Sequence, residues 1–386
     1  MRVLITSPVF PPDLGGPAVY VPSIGRYLLD QGHEVKVVAF CADENPTGHP
    51  FPVVAVPRGP LPIRYLKAFF AVLREAKGYD VVYVQEHLAL LHVLAAKLRG
   101  VPAVIRIMVD GAWEISHRKG WIDGDDINVF ETKEYGFKVK LTRRLQVLWW
   151  SWTKRLICCS EFLRGICVNR YGVAPDKAVR ILNALHGLDP ESVTATRDEA
   201  RAELGLAGDR RYLLTICRLM VWKGVDGIIR ALDGLPEDVE LLVAGDGDME
   251  QAWKALAAER GLADRVHFLG NVPHAQIPLY IRAADVFVLN SEYEGLSHTL
   301  IEVTTLGLPV VCTGVCGNPE VVEHEVNGLL VEPQDDDGLR AALARMLEDG
   351  DLRERYAREG VRLSSRFTRE ATFPSVEAVL AEAARG

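Results

Sequence analysis

Ser291–Leu306 reads SEYEGLSHTLIEVTTL, and how this stretch is read decides the fold of the 386-residue chain. An apolar run, Val286-Phe287-Val288-Leu289, precedes it and reads as a buried strand. Behind it, Gly307 and Pro309 mark the end of a helix. The expected order is strand, tight loop, helix, and such loops are where open α/β sheets bind their ligands. Glu294 falls in the loop and Glu302 falls well inside the helix. A helix beginning near Leu296 would turn unpaired N–H groups and the positive end of its dipole toward an anion.

On a helical projection Glu302 shares a stripe with His298 and Thr299, while Leu296, Leu300 and Val303 fall on another face. Such a stripe is either solvated or lies under a cleft, where a carboxylate could accept both hydroxyls of a ribose diol. Glu294 and Glu302, with seven residues between them, resemble the Glu-x7-Glu signature of glycosyltransferase family four. The neighbouring Gly295-Leu296-Ser297-His298, Gly317-Asn318-Pro319-Glu320 and Asn327-Gly328-Leu329 resemble the same family. The resemblance is dense in the C-terminal half and loose in the N-terminal half. It implies an α/β chain of the GT-B fold, two doubly wound Rossmann-like domains facing across a cleft, with a C-terminal helix crossing back. It implies a retaining, sugar-nucleotide-dependent transferase.

The totals fit that class. With 44 Lys and Arg against 52 Asp and Glu the net charge is −8, so no overall basic field favours nucleic acid. No apolar run is long enough to span a membrane. Met1-Arg2 leads straight into Val3-Leu4-Ile5 without the pattern of a signal peptide. Seven cysteines, with no C-x-x-C pair, read as reduced core or near-core thiols of a cytoplasmic protein.

The first half opens on a strand, Arg2 to Thr6, followed by Phe10-Pro11-Pro12-Asp13-Leu14-Gly15-Gly16-Pro17 and a helix to Leu29. Gly15 and Gly16 allow a tight turn at a helix N-terminus, and the dinucleotide pattern G-x-G-x-x-G is absent. The resemblance makes Gly16 the loop glycine that lets main-chain N–H approach a diphosphate. His87, at the end of the strand Val81 to Val84, is either an acceptor-side group or a satisfied strand-end histidine. After the strand Ala103 to Val109, Asp110-Gly111-Ala112-Trp113-Glu114 resembles a segment found in one branch of the family, with Val109 where that branch has glycine. Asp110 could stabilise positive charge at the anomeric carbon, or it could simply cap the turn. Residues 116–134 read as polar and irregular; Asp123, Asp125 and Asp126 are either solvated loop acids or an Asp-x-Asp metal site, and the resemblance, to a group that typically needs no bound metal, favours the solvated reading. The helix 137–155 is basic and aromatic; its tryptophans either pack in the core or put the chain in peripheral contact with the inner membrane surface. Leu156 to Cys159 is expected to be the last strand of this half.

Asn183-Ala184-Leu185-His186-Gly187-Leu188-Asp189 resembles the family's interdomain segment with one extra residue, which places Asn183 among the substrate-binding candidates. Past the strand Tyr212 to Cys217, Arg218 and Lys223 are two cations at a strand tip, a fork and a compact charge for phosphate oxygens. In the family such a pair holds and neutralises the diphosphate. Gly247, in Gly245-Asp246-Gly247-Asp248, leaves room for a bound group or makes the turn, and the loop at Asn271 is expected to face the base. Val310 to Cys312, Glu320 to His324 and Leu329 to Val331 are expected to close the sheet.

The expected domains are 1–183 on the acceptor side, 184–366 on the donor side, and a helix, 367–386, returning to the first. Glu294, Asp110, Arg218 and Lys223 are the catalytic candidates. The substrate-binding candidates are Gly15, Gly16, His87, Asn183, Gly247, Asn271, Gly295, Leu296, Ser297 and Glu302. No metal or cofactor is expected; the donor is a nucleotide-diphosphate sugar such as a UDP- or GDP-sugar, and the acceptor a glycan or lipid-linked glycan. The alternatives are a sugar-nucleotide epimerase of the same fold and a non-catalytic nucleotide-sugar or carbohydrate binder.

Overall fold

The computed structural model describes the chain apart from residues 14, 44, 86–88, 186–189 and 386, and apart from the side chain of residue 61. The chain divides into two compact units, Met1–Gly187 with Arg369–Gly386, and Leu188–Thr368.

Unit 1 is built on seven parallel strands: β1 (Arg2–Ser7), β2 (Glu34–Cys41), β3 (Val53–Pro57), β4 (Val81–Val84), β5 (Ala103–Ile107), β6 (Arg155–Cys158) and β7 (Ala178–Arg180). Their order is β3-β2-β1-β4-β5-β6-β7. The chain therefore winds outward from β1 and then returns to its other side, leaving a switch point between β1 and β4. The helices are α1 (Gly16–Asp30), α2 (Leu61–Glu75), α3 (Leu90–Leu98), α4 (Gly111–Arg118), α5 (Ile127–Thr132), α6 (Phe137–Ser151) and α7 (Glu161–Gly165). Every residue of β4 and β5 is buried, as parallel strands covered on both faces require.

Unit 2 repeats the plan with β8 (Arg211–Ile216), β9 (Val239–Ala244), β10 (Val266–Gly270), β11 (Val286–Leu289), β12 (Val310–Thr313) and β13 (Gly328–Val331), in the order β10-β9-β8-β11-β12-β13. Its helices are α8 (Arg197–Leu204), α9 (Val225–Leu232), α10 (Glu250–Glu259), α11 (Ile277–Ala283), α12 (His298–Thr305), α13 (Asp336–Glu348) and α14 (Gly350–Ser364). All its pairings are parallel, and the switch point falls between β8 and β11. The last helix, α15 (Arg369–Arg385), packs on unit 1, where Phe373, Val376 and Leu380 enter the core beside Val3, Ile5 and Tyr20. Glu377 pins it there, accepting from Tyr27 Oη at 2.8 Å and pairing with His33 Nε2 at 2.9 Å.

Three local expectations are corrected. Residues 116–134 are not irregular throughout: Asp110 and Asp126 cap α4 and α5 with their side chains. β6 is not the last strand of its half, because β7 pairs beyond it; three residues, one of them buried, show no readable period. Residues 320–324 do not form a strand. Pro319 opens a 3-10 turn, Asn318–Glu320, and Asn327 Oδ1 accepts from Glu323 N–H at 2.6 Å, folding the chain back. Among the described residues no helix is long and apolar enough to cross a membrane.

Candidate functional site

Because every strand of unit 2 points the same way, their carboxyl ends share one edge, and the tips of β8 and β11 meet at the switch point. There the chain is laced together. A 3-10 turn, Val221–Lys223, follows β8, and Trp222 C=O accepts from Glu292 N–H at 2.8 Å. Asn290 Nδ2 donates to Gly224 C=O at 2.9 Å, and Thr313 Oγ1 to Ser291 C=O at 2.6 Å, so the exits of β8, β11 and β12 are held in register.

Lys223 Nζ donates to Glu294 Oε1 at 2.5 Å, and Ser291 Oγ donates to the same oxygen at 2.9 Å. Burial works to lower the Lys223 pKa, but the Glu294 charge and hydrogen bond outweigh it and hold the ammonium above its ordinary value. Lys223 is therefore a fixed positive charge at neutral pH. Arg218 is different: its side chain is exposed and has no ion-pair partner among the described residues. Its backbone neighbours tie it to the β9 exit, with Leu219 N–H donating to Asp246 C=O at 2.7 Å. Gly247 sits at φ +155°, where a Cβ would lie 2.5 Å from Leu219 C=O, so only glycine lets the two loops close on each other.

The loop between β11 and α12 carries Gly295, Leu296 and Ser297, all buried. The helix starts two residues later than the sequence suggests, with Ser297 as its N-cap accepting from Leu300 N–H. Gly317 N–H donates to Glu294 C=O at 3.0 Å, and the Gly317 Cα packs so tightly on Gly295 that a Cβ would stand 2.2 Å from its carbonyl. Among the described residues the Gly295 and Ser297 N–H groups have no hydrogen-bond partner, which leaves them for a ligand oxygen.

Glu302 is not solvated: its side chain is 15% exposed and its Oε1 lies 3.2 Å from His274 Nε2. His274 stands on the 3-10 turn after β10, and its hydrogen bond to Glu302 raises the imidazole pKa. The sequence did not single out His274, whose partner is 28 residues away. Asn271, three residues earlier, is exposed and makes no hydrogen bond to these side chains. The structure thus brings Lys223, Glu294, Ser291 and the α12 N-terminus together, sets Arg218 and Gly247 on the adjoining strand tips, and joins Glu302 to His274.

The remaining candidates belong to unit 1. Gly15 (φ +153°) is the N-cap of α1 and Gly16 its first residue, with open space where a Gly16 Cβ would be. Asp110 is 1% exposed and spent on structure. Its Oδ1 accepts from Ala112 N–H at 2.8 Å and Gln146 Nε2 at 2.9 Å, and its Oδ2 from Tyr171 Oη at 2.6 Å. Burial, and next the charge of Asp110, push the Glu131 carboxyl upward beside it. Asn183 is also buried, its Oδ1 accepting from Arg106 Nη2 at 2.9 Å. His87 lies outside the described residues. Asp126 is a helix cap, and Asp125 is held by Lys133 and Tyr135.

Comparison with known proteins agrees with this architecture. Residues 196–362 match the family described as Glycosyl transferases group 1, and residues 15–184 match the Glycosyl transferase 4-like domain. An uncharacterized glycosyltransferase of Methanocaldococcus jannaschii is 26% identical over 92% of this chain and 91% of its own length. The lipopolysaccharide core biosynthesis glycosyltransferase LpsD of Rhizobium meliloti is 35% identical over 45% of this chain, and the match spans half of LpsD. Anabaena HepE, solved in complex with UDP, superposes with a TM-score of 0.78 at 22% identity, covering 99% of this chain and all of HepE. Two parallel Rossmann-like units of this kind, each matched by a glycosyltransferase domain, place the chain in the GT-B glycosyltransferases of the family-four type, enzymes that use a nucleotide sugar.

Proposed function

We propose that the enzyme moves a sugar, with retention of its anomeric configuration, from a UDP- or GDP-sugar to a hydroxyl of a glycan or lipid-linked glycan of surface polysaccharide synthesis. The observation that carries this reading is the Lys223–Glu294 pair at the β8/β11 switch point, beside the amino end of α12. A diphosphate resting there meets the Lys223 ammonium, the Arg218 guanidinium and the N–H groups of Gly295 and Ser297. These groups neutralise the charge that grows on the leaving diphosphate as its bond to the sugar breaks. Glu294 lies toward the sugar and stabilises positive charge at the anomeric carbon, while Glu302 takes the ribose diol.

Both carboxylates already have partners, Glu294 in Lys223 and Ser291, Glu302 in His274. That supports a reaction in which neither acts as general base. The acceptor oxygen bonds to the anomeric carbon on the face the diphosphate leaves, and a leaving phosphate oxygen takes its proton. The spent acids at residues 125 and 126 support a transfer that needs no bound metal. HepE, bound to UDP, and LpsD, named for lipopolysaccharide core synthesis, support the choice of donor and acceptor class.

A thermal-shift screen of UDP-, GDP- and ADP-sugars identifies the base, because a ligand that binds only the folded state raises its melting temperature. NMR of the product then reads the anomeric centre. The donor's configuration is expected in the product; the opposite configuration overturns the proposal.

A further inference from the structure

Two donors meet on one oxygen of Glu294. Lys223 Nζ and Ser291 Oγ both donate to Oε1, at 2.5 and 2.9 Å. Among the described residues no hydrogen bond reaches Oε2. Nor is Oε2 one of the enclosed polar atoms left without a partner, so it opens to solvent. The carboxylate is thus pinned by one oxygen and presents the other.

The two pins differ. An ammonium carries three donors on a flexible four-carbon stem, and a bound diphosphate competes for it. A serine hydroxyl has a single proton on a short side chain, and it is neutral, so a diphosphate draws it far less. Ser291 is also fixed from behind. Thr313 Oγ1 donates to Ser291 C=O at 2.6 Å, and Asn318 Nδ2 donates to Thr313 C=O at 3.0 Å. Ser291, Thr313 and Asn318 are all 0% exposed, so this relay from the exit of β12 to the exit of β11 is shielded from water. Packed and hydrogen-bonded supports of this kind lock the rotamer of the group they hold.

We propose that Ser291 is a positioning residue for sugar transfer. When the diphosphate draws Lys223 away, Ser291 keeps its hold on Oε1 and leaves Oε2 as the oxygen that faces the sugar. Thr313 and Asn318 act one step further back, by fixing Ser291. The inference rests on the reading above that Glu294 lies toward the anomeric carbon, and it assigns that task to one of its two oxygens.

Release of nucleoside diphosphate from UDP-glucose, GDP-mannose or ADP-glucose, with water as the sugar acceptor, gives kcat and KM. Calorimetric titration with UDP, GDP and ADP gives affinity. Ser291→Ala is expected to lower kcat about tenfold or more, the scale of one hydrogen bond to a charged group, with KM and diphosphate affinity unchanged. Ser291→Cys keeps the side-chain shape but is a weak donor, and its kcat should stay low. Thr313→Val should also lower kcat, and adding it to Ser291→Ala should slow the enzyme no further, because the two act through one contact. An unchanged kcat in Ser291→Ala, or full activity in Ser291→Cys, overturns the positioning role and leaves the donor site standing. So does a loss of diphosphate affinity as large as the loss of kcat, which would mark a merely structural serine. A wild type that binds none of the three diphosphates overturns the donor site, and this inference falls with it.

Discussion

Lys223 Nζ lies 2.5 Å from Glu294 Oε1, and only 17% and 12% of the two side chains are exposed. The contact joins the exit of β8 to the exit of β11, the two strands that flank the switch point of unit 2. An ammonium and a carboxylate held this way cannot be altered singly without leaving a buried charge alone.

Lys223→Ala should therefore have two effects. Turnover should fall about 100-fold or more, the scale for one lost charge-stabilising group. Stability should fall by about 3 kcal/mol, because Glu294 is left buried and unpaired. Urea unfolding and initial rates measure the two separately; an unchanged rate in the folded variant removes Lys223 from the reaction.

His274 gives the site a pH dependence. Its hydrogen bond to Glu302 raises the imidazole pKa above its ordinary value near 6.5. The folded value lies above the unfolded one, so the stability contributed by the pair is fully present below the unfolded value and is lost as pH rises through the folded one. His274 is half exposed, so the contribution is small. The difference in melting temperature between wild type and His274→Ala should shrink as pH rises across this interval. Donor affinity should rise over the same range, as the neutral imidazole frees Glu302 for the ribose. A pH-independent difference would contradict the pairing.

Two glycines of one loop should behave oppositely. A Cβ on Gly317 would stand 2.2 Å from Gly295 C=O, whereas one on Gly314 would find its nearest atom at 3.7 Å. Gly317→Ala should cost about 2 kcal/mol or more and weaken donor binding, while Gly314→Ala should stay within about 0.5 kcal/mol of wild type. Calorimetric melts compare them; equal effects would mean that the loop is not packed as described.

Activity should survive EDTA. Asp126 caps α5, and the Asp125 carboxyl is held below its usual range by hydrogen bonds first from Lys133 and then from Tyr135. Loss of activity that a divalent ion restores would reopen residues 123–126 as a metal site.

The readable parts of this chain were those whose signal is continuous in sequence. Val286–Leu289 is wholly buried, and the loop and helix after it follow without a break, so strand, loop and helix could be named from residues 286–306 alone. Arg218 and Lys223 were legible because two cations follow an apolar strand. Contacts between distant segments were not legible. The partner of Glu302 comes from the turn after β10, and the acceptors of Asp110 are filled by Gln146 and Tyr171, which nothing near residue 110 announces. β7 is too short to show a period, and the turn at Asn318–Glu320 was hidden by the apolar Val321-Val322 that follows it.

Arg218 offers the most direct test of the account, because it is exposed and unpaired among the described residues and its loss should not disturb the fold. Calorimetric titration of wild type and Arg218→Ala with the nucleoside diphosphate that binds, and with its parent nucleoside, isolates the phosphate contact. Diphosphate affinity should fall about tenfold or more, the value of a charge-assisted hydrogen bond, while nucleoside affinity is unchanged. Equal diphosphate affinity in the two proteins would contradict a donor seated at the β8/β11 switch point.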